Sequence, residues 1–117
     1  SVNPGFYNWN VAFVLYCDGM IHIGETNETR SYKNHTLYFR GGENTRSTLN
    51  YLVQKMGLKE PEIVIIGGGS AGGIATYHWM NKVYNGSFWN TSKTKIYGFP
   101  DSGFFMDYPT YAGPNYM

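Results

Sequence analysis

The sequence has 117 residues, 42% hydrophobic, 18% aromatic and 15% charged, with nine Lys and Arg against eight Asp and Glu for a net charge of +1. That length builds one small domain with a modest core, and so apolar and aromatic a composition excludes a disordered chain. The near-zero charge gives no electrostatic basis for binding nucleic acid or an anionic membrane, and no apolar run approaches the ~20 residues of a membrane span.

The chain opens on Ser1 without a signal-peptide pattern, and Asn3-Pro4 lies close before the first strand-like run. It closes on Gly113-Pro114-Asn115-Tyr116-Met117, with no capping element. Residues 1–117 are therefore expected to form a single partial domain that lacks N-terminal and C-terminal parts. Val11-Ala12-Phe13-Val14-Leu15-Tyr16 is a continuous apolar run that predicts a strand buried on both faces, closed by Cys17-Asp18-Gly19. Residues 24–36 are polar and predict an exposed loop, and Leu37–Gly42 a short strand or extended lead-in. From Glu43 to Met56, Leu49, Leu52, Val53 and Met56 recur at i, i+3, i+4 and i+7. That spacing predicts an amphipathic helix ended by Gly57.

Pro61 starts the next element, and Glu62–Ile66 predicts a second buried strand. Ala71 to Val83 predicts a helix with Ile74, Tyr77 and Met80 or His78 on one face, broken by Asn85-Gly86-Ser87. Lys95–Phe99 predicts a third strand stopped by Pro100. Strand, helix, strand, helix, strand is the rhythm of βαβ units and a parallel sheet, so the fold class is α/β. Four N-x-S/T sequons, at Asn27, Asn34, Asn85 and Asn90, predict a secreted chain. Cys17 is the single cysteine, so in a secreted protein its partner would lie outside this chain. Three scattered histidines and one cysteine show no metal-ligand spacing, and no metal is expected.

The richest stretch is Ile63-Val64-Ile65-Ile66-Gly67-Gly68-Gly69-Ser70-Ala71-Gly72-Gly73. Gly67-x-Gly69-x-x-Gly72 fits a dinucleotide-binding loop, whose pyrophosphate sits at a helix N-terminus. Gly68-x-Ser70-x-Gly72 fits the elbow that presents a nucleophilic serine on a strained strand-to-helix turn. A plain tight turn is the third possibility. A dinucleotide site wants an acid about 20 residues on to hold the ribose, yet Gly73 through Pro100 contains none. The first is Asp101, and no arginine follows Arg46 to serve a phosphorylated ribose. The pattern therefore favours the elbow and no cofactor, with an FAD- or NAD-dependent oxidoreductase as the alternative. In the elbow, Ser70 attacks an ester carbonyl and the Ala71 N–H is one oxyanion donor.

Further segments carry a resemblance. Asn3-Pro4-Gly5-Phe6-Tyr7-Asn8-Trp9-Asn10, Tyr16-Cys17-Asp18-Gly19, Leu37-Tyr38-Phe39-Arg40-Gly41 and Pro100-Asp101-Ser102-Gly103-Phe104-Phe105-Met106-Asp107 flank Gly69-Ser70-Ala71-Gly72-Gly73. In order and spacing they resemble the pectin acetylesterase family, which includes the Notum palmitoleoyl-protein carboxylesterases. The resemblance implies a partial α/β-hydrolase fold, a parallel sheet with helices on both faces. It implies a secreted or cell-wall serine carboxylesterase acting on an acetylated polysaccharide or other acylated substrate. The foremost expectation is removal of acetyl groups from pectin, with a Notum-type protein deacylase as the alternative.

By position, Ser70 matches the nucleophile and Ala71 the oxyanion donor. Gly72, Phe105 and Ile21 match substrate-binding positions, Phe105 and Ile21 as walls of the acyl pocket. Gly68-Gly69 departs from the pectin acetylesterase pattern, where a Cys precedes the Ser. The resemblance also puts the triad Asp and His far downstream of the serine, so this piece alone is expected to be inactive. His22 and His35 precede Ser70, and His78 lies about 12 Å along the elbow helix, pointing away. Asp101 is assigned a structural role.

Overall fold

The structure, a computed structural model, describes residues 2–106, 109 and 111. Asp107, the last residue of the D-S-G-F-F-M-D segment, and the closing Gly113–Met117 lie outside the described residues. In chain order the elements are β1 (Thr29–Tyr32), β2 (His35–Tyr38), α1 (Gly41–Gln54), β3 (Ile63–Gly69), α2 (Ala71–Lys82), a π-helical turn (Val83–Ser87) and β4 (Lys95–Asp101). β3 and β4 pair in parallel, from Ile63 opposite Lys95 to Gly69 opposite Asp101, and α2 is the crossover between them. β1 and β2 form a separate antiparallel hairpin, Thr29 opposite Tyr38 and Tyr32 opposite His35. The α/β class expected from the alternating pattern is what the chain adopts.

α2 organises the packing. Ala75, Trp79 and Val83 recur at i, i+4 and i+8 and are buried, joined by Trp89 beyond the π turn. The Trp79 indole donates to the His22 carbonyl (3.0 Å), tying the 20–25 segment to the helix. The Trp89 indole donates to the Leu58 carbonyl (2.7 Å), tying the region after the π turn to the α1–β3 connection. On the sheet side the Met80 side chain lies over Gly98 of β4, so close that a Cβ there would stand 3.0 Å from its Cγ. Met80, Ile74 and His78 are half-buried, as the expected face requires, but Tyr77 is 53% exposed. The closest packing comes instead from the small residues Gly73, Ala75 and Thr76, which let the helix approach its neighbours.

Three expectations are corrected. Residues 11–16 form no strand, and Val11, Phe13 and Leu15 are 86%, 81% and 68% exposed. A strand exists only by pairing, and no described strand lies alongside this run to accept its backbone groups. The polar 24–36 region is exposed as expected but contains β1 and the start of β2. Pro100 does not stop the third strand, which runs to Asp101 with Pro100 opposite Gly68. A two-stranded sheet uses only alternate N–H groups of each strand, so one position without a donor is tolerated.

α1 starts at Gly41, two residues before the acid expected to open it, because its cap comes from far away in sequence. Arg40 offers no side-chain cap. Instead the buried Asp18 accepts the Gly41 N–H (2.7 Å) through Oδ2 and the Met20 N–H (3.1 Å) through Oδ1. A carboxylate at a helix N-terminus satisfies an orphan donor and meets the positive end of the dipole. The two groups fit so closely that any Cβ at Gly41 would overlap the Asp18 carboxylate. At the far end Gly57 takes the predicted left-handed conformation (φ 80°), and the Leu58 N–H reaches back to the Leu52 carbonyl (3.1 Å). Asp18→Ala should lower unfolding free energy by about 1–3 kcal/mol, the cost of stranding buried donors. Urea melts of the intact protein measure it, and Asp18→Asn, which keeps one of the two acceptor oxygens, should cost less.

Candidate active site

The stretch from β3 into α2 is a sharp turn whose tightest point is Ser70. Ser70 is the N-terminal flank of α2, with φ 53° and ψ −113°. An L-residue there lies outside the three broad basins, at a cost of order 1–3 kcal/mol unless its surroundings hold it. Three sets of contacts do. The Ser70 N–H donates to the Asp101 carbonyl at the end of β4 (3.0 Å), and the Ser70 carbonyl accepts the Ile74 N–H (3.1 Å). A Cβ on Gly68 would stand 2.7 Å from the Gly72 carbonyl carbon, so only glycine lets the strand end and the helix start pass this closely. Below the turn, Gly73 meets Gly103 backbone to backbone, and a Cβ on Gly73 would stand 2.6 Å from the Gly103 Cα.

Ser70 is exposed, and among the described residues its hydroxyl makes no hydrogen bond. Ala71 is the first residue of α2, and its N–H belongs to the helix terminus that follows the serine, which makes no side-chain cap. Gly72 faces open space, with nothing within 4 Å of where a side chain would begin. Just past β4, Ser102 also has positive φ (50°), its hydroxyl donates to Asp101 Oδ1 (3.3 Å), and the chain turns back to Gly103. Phe105 follows, 41% exposed. Ile21 is half-buried with φ 56°, its N–H donating to the Tyr16 hydroxyl (3.2 Å). Its neighbour His22 is bonded through the carbonyl to Trp79, more than two helical turns along α2 from Ser70. Ser70, Ala71 and Gly72 thus share one turn with the Asp101–Gly103 segment against it, whereas Ile21 is tied to the far half of the helix.

The Asp101-Ser102-Gly103 bracket went unread in the sequence as a support for the turn. Its one available cue was a glycine placed after the adjacent strand, at the same end as the serine.

The histidines supply no partner at the turn. His78 stacks edge-on to Trp79 (5.7 Å), and its Nε2 is buried with no hydrogen bond among the described residues. Burial, and then the Lys82 ammonium, push its pKa below the ordinary value, with Glu25 opposing. In the unfolded chain this histidine titrates at about 6.5, so between the two values the unfolded state binds more protons. Stability therefore falls as pH drops below about 6.5 towards the folded value. His78→Leu should flatten that part of the melting temperature against pH curve. Glu25 is held below the usual carboxylate range by Arg46 and then Lys82. It bridges Arg46 of α1 and Lys82 of α2 (3.3 Å to Lys82), lashing both helices to the 18–25 segment. Among the described residues no three metal-binding side chains cluster, and no helix is long and apolar enough to cross a membrane.

Across its entire length, residues 1–117, the chain matches the family model described as Pectinacetylesterase. The chain belongs to the pectin acetylesterase family. Pectin acetylesterase 11 of Arabidopsis thaliana is 32% identical over 117 residues, 100% of this chain. Palmitoleoyl-protein carboxylesterase NOTUM of Schmidtea mediterranea is 30% identical over 115 residues, 97% of the chain. Palmitoleoyl-protein carboxylesterase notum2 of Xenopus laevis is 30% identical over 106 residues, 90% of the chain. The chain spans 28% of the length of the first relative and 21% of each of the other two. No solved structure matches it. The pectin acetylesterase family has an α/β-hydrolase-like fold, and the parallel β3–β4 pair with its crossover helix accords with it. These relatives are named as carboxylic-ester hydrolases, so the family favours the elbow over the dinucleotide loop.

Proposed function

We propose that Ser70 is the nucleophile of a secreted serine carboxylesterase that removes acyl groups, acetyl above all, from pectin or another polysaccharide. The observation that carries this is the backbone of Ser70. A serine held at φ 53° and ψ −113° between a strand end and a helix start, with its hydroxyl exposed, is what a nucleophile elbow requires. Attack by Oγ on the ester carbonyl forms a tetrahedral oxyanion, which the Ala71 N–H stabilises. Collapse releases the sugar hydroxyl and leaves an acyl-serine that water hydrolyses. Gly72 leaves space for the acyl group and Phe105 stands at its wall, while Ile21, anchored beside Trp79, is assigned to that wall by the resemblance alone. The general base and its carboxylate partner come from other parts of the protein.

Protein deacylation of the Notum type is the second reading, favoured by the planarian and frog relatives. Hydrolysis of p-nitrophenyl acetate by the intact protein, lost in Ser70→Ala, tests the proposal, and wild-type turnover in that variant overturns it. A series of p-nitrophenyl esters of increasing acyl length separates the two substrates.

A further inference from the structure

The esterase reading leaves one set of motifs unused: the four N-x-S/T sequons. The structure gives them different settings. The Asn90 side-chain oxygen already accepts the Ser92 N–H (3.0 Å) in a local turn. Asn85 is inside the π-helical turn beside Gly86, whose φ is 79°. The Asn27 carbonyl is held by the Arg40 guanidinium (3.3 Å). Asn27 and Asn85 are, like Asn34, exposed and without a side-chain hydrogen bond among the described residues, and Asn34 is set apart by its place at the tip of a hairpin. Tyr32 and His35 are the last register pair of the hairpin, so Lys33 and Asn34 are the turn itself, with Lys33 at φ 53°. Asn34 is exposed, and among the described residues its side chain makes no hydrogen bond. Thr36, the hydroxyl residue of its sequon, is exposed on β2.

We propose that Asn34 is an N-glycosylation site and that its glycan shields the hairpin. Asn34 Nδ2 forms the new bond to the anomeric carbon of an oligosaccharide carried on a lipid pyrophosphate. The carbon–oxygen bond to the pyrophosphate breaks, the leaving group keeps the electron pair, and the amide gives up one proton. The folded chain accommodates the product because the turn projects from a hairpin whose every residue is exposed.

The hairpin also has reason to carry one. Two strands alone are marginal in water, and both outer edges present unpaired backbone groups that template association. Tyr32 and Tyr38 add aromatic surface, 62% and 58% exposed. A bulky hydrated chain at the tip blocks the edge-to-edge approach.

The test uses the intact protein produced in a eukaryotic secretory host. Enzymatic deglycosylation in heavy-oxygen water followed by peptide mass spectrometry should convert Asn34 to labelled aspartate. Asn34→Gln and Thr36→Ala should each remove the same single step in gel mobility, and Thr36→Ser should retain it. A predominantly unlabelled Asn34 peptide, or unchanged mobility in Asn34→Gln, overturns the proposal. Protein held inside the cell is read in the same way, so a failure of secretion is distinguished from a failure of this site. Neither outcome depends on esterase activity.

Discussion

Replacing Ser70 by alanine in the intact protein is expected to cut turnover of p-nitrophenyl acetate by roughly 10³-fold or more, while leaving the fold unchanged. Stability should hold for reasons visible at the turn. The contacts that fix Ser70 are made by its backbone: the N–H to Asp101 and the carbonyl to Ile74. Alanine keeps both and carries the same strain at φ 53°. The lost hydroxyl is exposed and has no hydrogen-bond partner among the described residues, so no buried group is orphaned. A drop in rate at constant melting temperature therefore reports chemistry. Residual turnover above water would come from the oxyanion donor and from binding, which the substitution spares. A variant that melts early, or one that still turns over at the wild-type rate, contradicts this account.

Gly73→Ala should have the largest effect on stability, about 2–4 kcal/mol, and should take activity with it. The new methyl would stand 2.6 Å from the Gly103 Cα and 2.7 Å from the Asp101 carbonyl oxygen, both backbone atoms that cannot rotate away. Relief requires α2 to lift from the end of β4, which stretches the Ser70–Asp101 bond and releases the turn. Gly103→Ala meets Gly73 from the other side, its Cβ 2.7 Å from the Gly73 carbonyl carbon, and should behave alike. Gly72→Ala is the contrast: its methyl enters open space, so thermal stability should stay near wild type. Thermal melts of the three variants decide it, and an unshifted Gly73→Ala overturns the packing account.

Local signals were legible wherever the physics is local. The glycine turn, the helix period through Leu49, Leu52, Val53 and Met56, and the left-handed Gly57 each depend on residues a few positions apart. The serine turn stands where the pattern puts it, and α1 lies close to its expected place but ends at Gln54, leaving Met56 outside it and 61% exposed. Where a partner is distant, the signal fails. Val11–Tyr16 has the composition of a buried strand, yet composition does not supply a neighbour to pair with. The start of α1 moved to Gly41 because its cap is Asp18, in a different segment. The hairpin was hidden because both of its faces are exposed, so no apolar alternation marks it. At the site, the serine and its small neighbours could be read, but not the Asp101–Gly103 bracket, whose role exists only once β4 lies beside β3.

The bond from the Ser70 N–H to the Asp101 carbonyl, with Gly73 seated on Gly103, has a consequence for biosynthesis. The strained serine is not secured by its own turn, because two of its supports arrive some thirty residues later in translation. Until β4 has emerged and crossed over, Ser70 is free to relax into an ordinary conformation, and its hydroxyl is an unremarkable alcohol. A parallel pairing of this kind is a slow, non-local step. The geometry that the proposed esterase requires of Ser70 is thus among the later features of the region to form, and a nascent or misfolded chain would not present it.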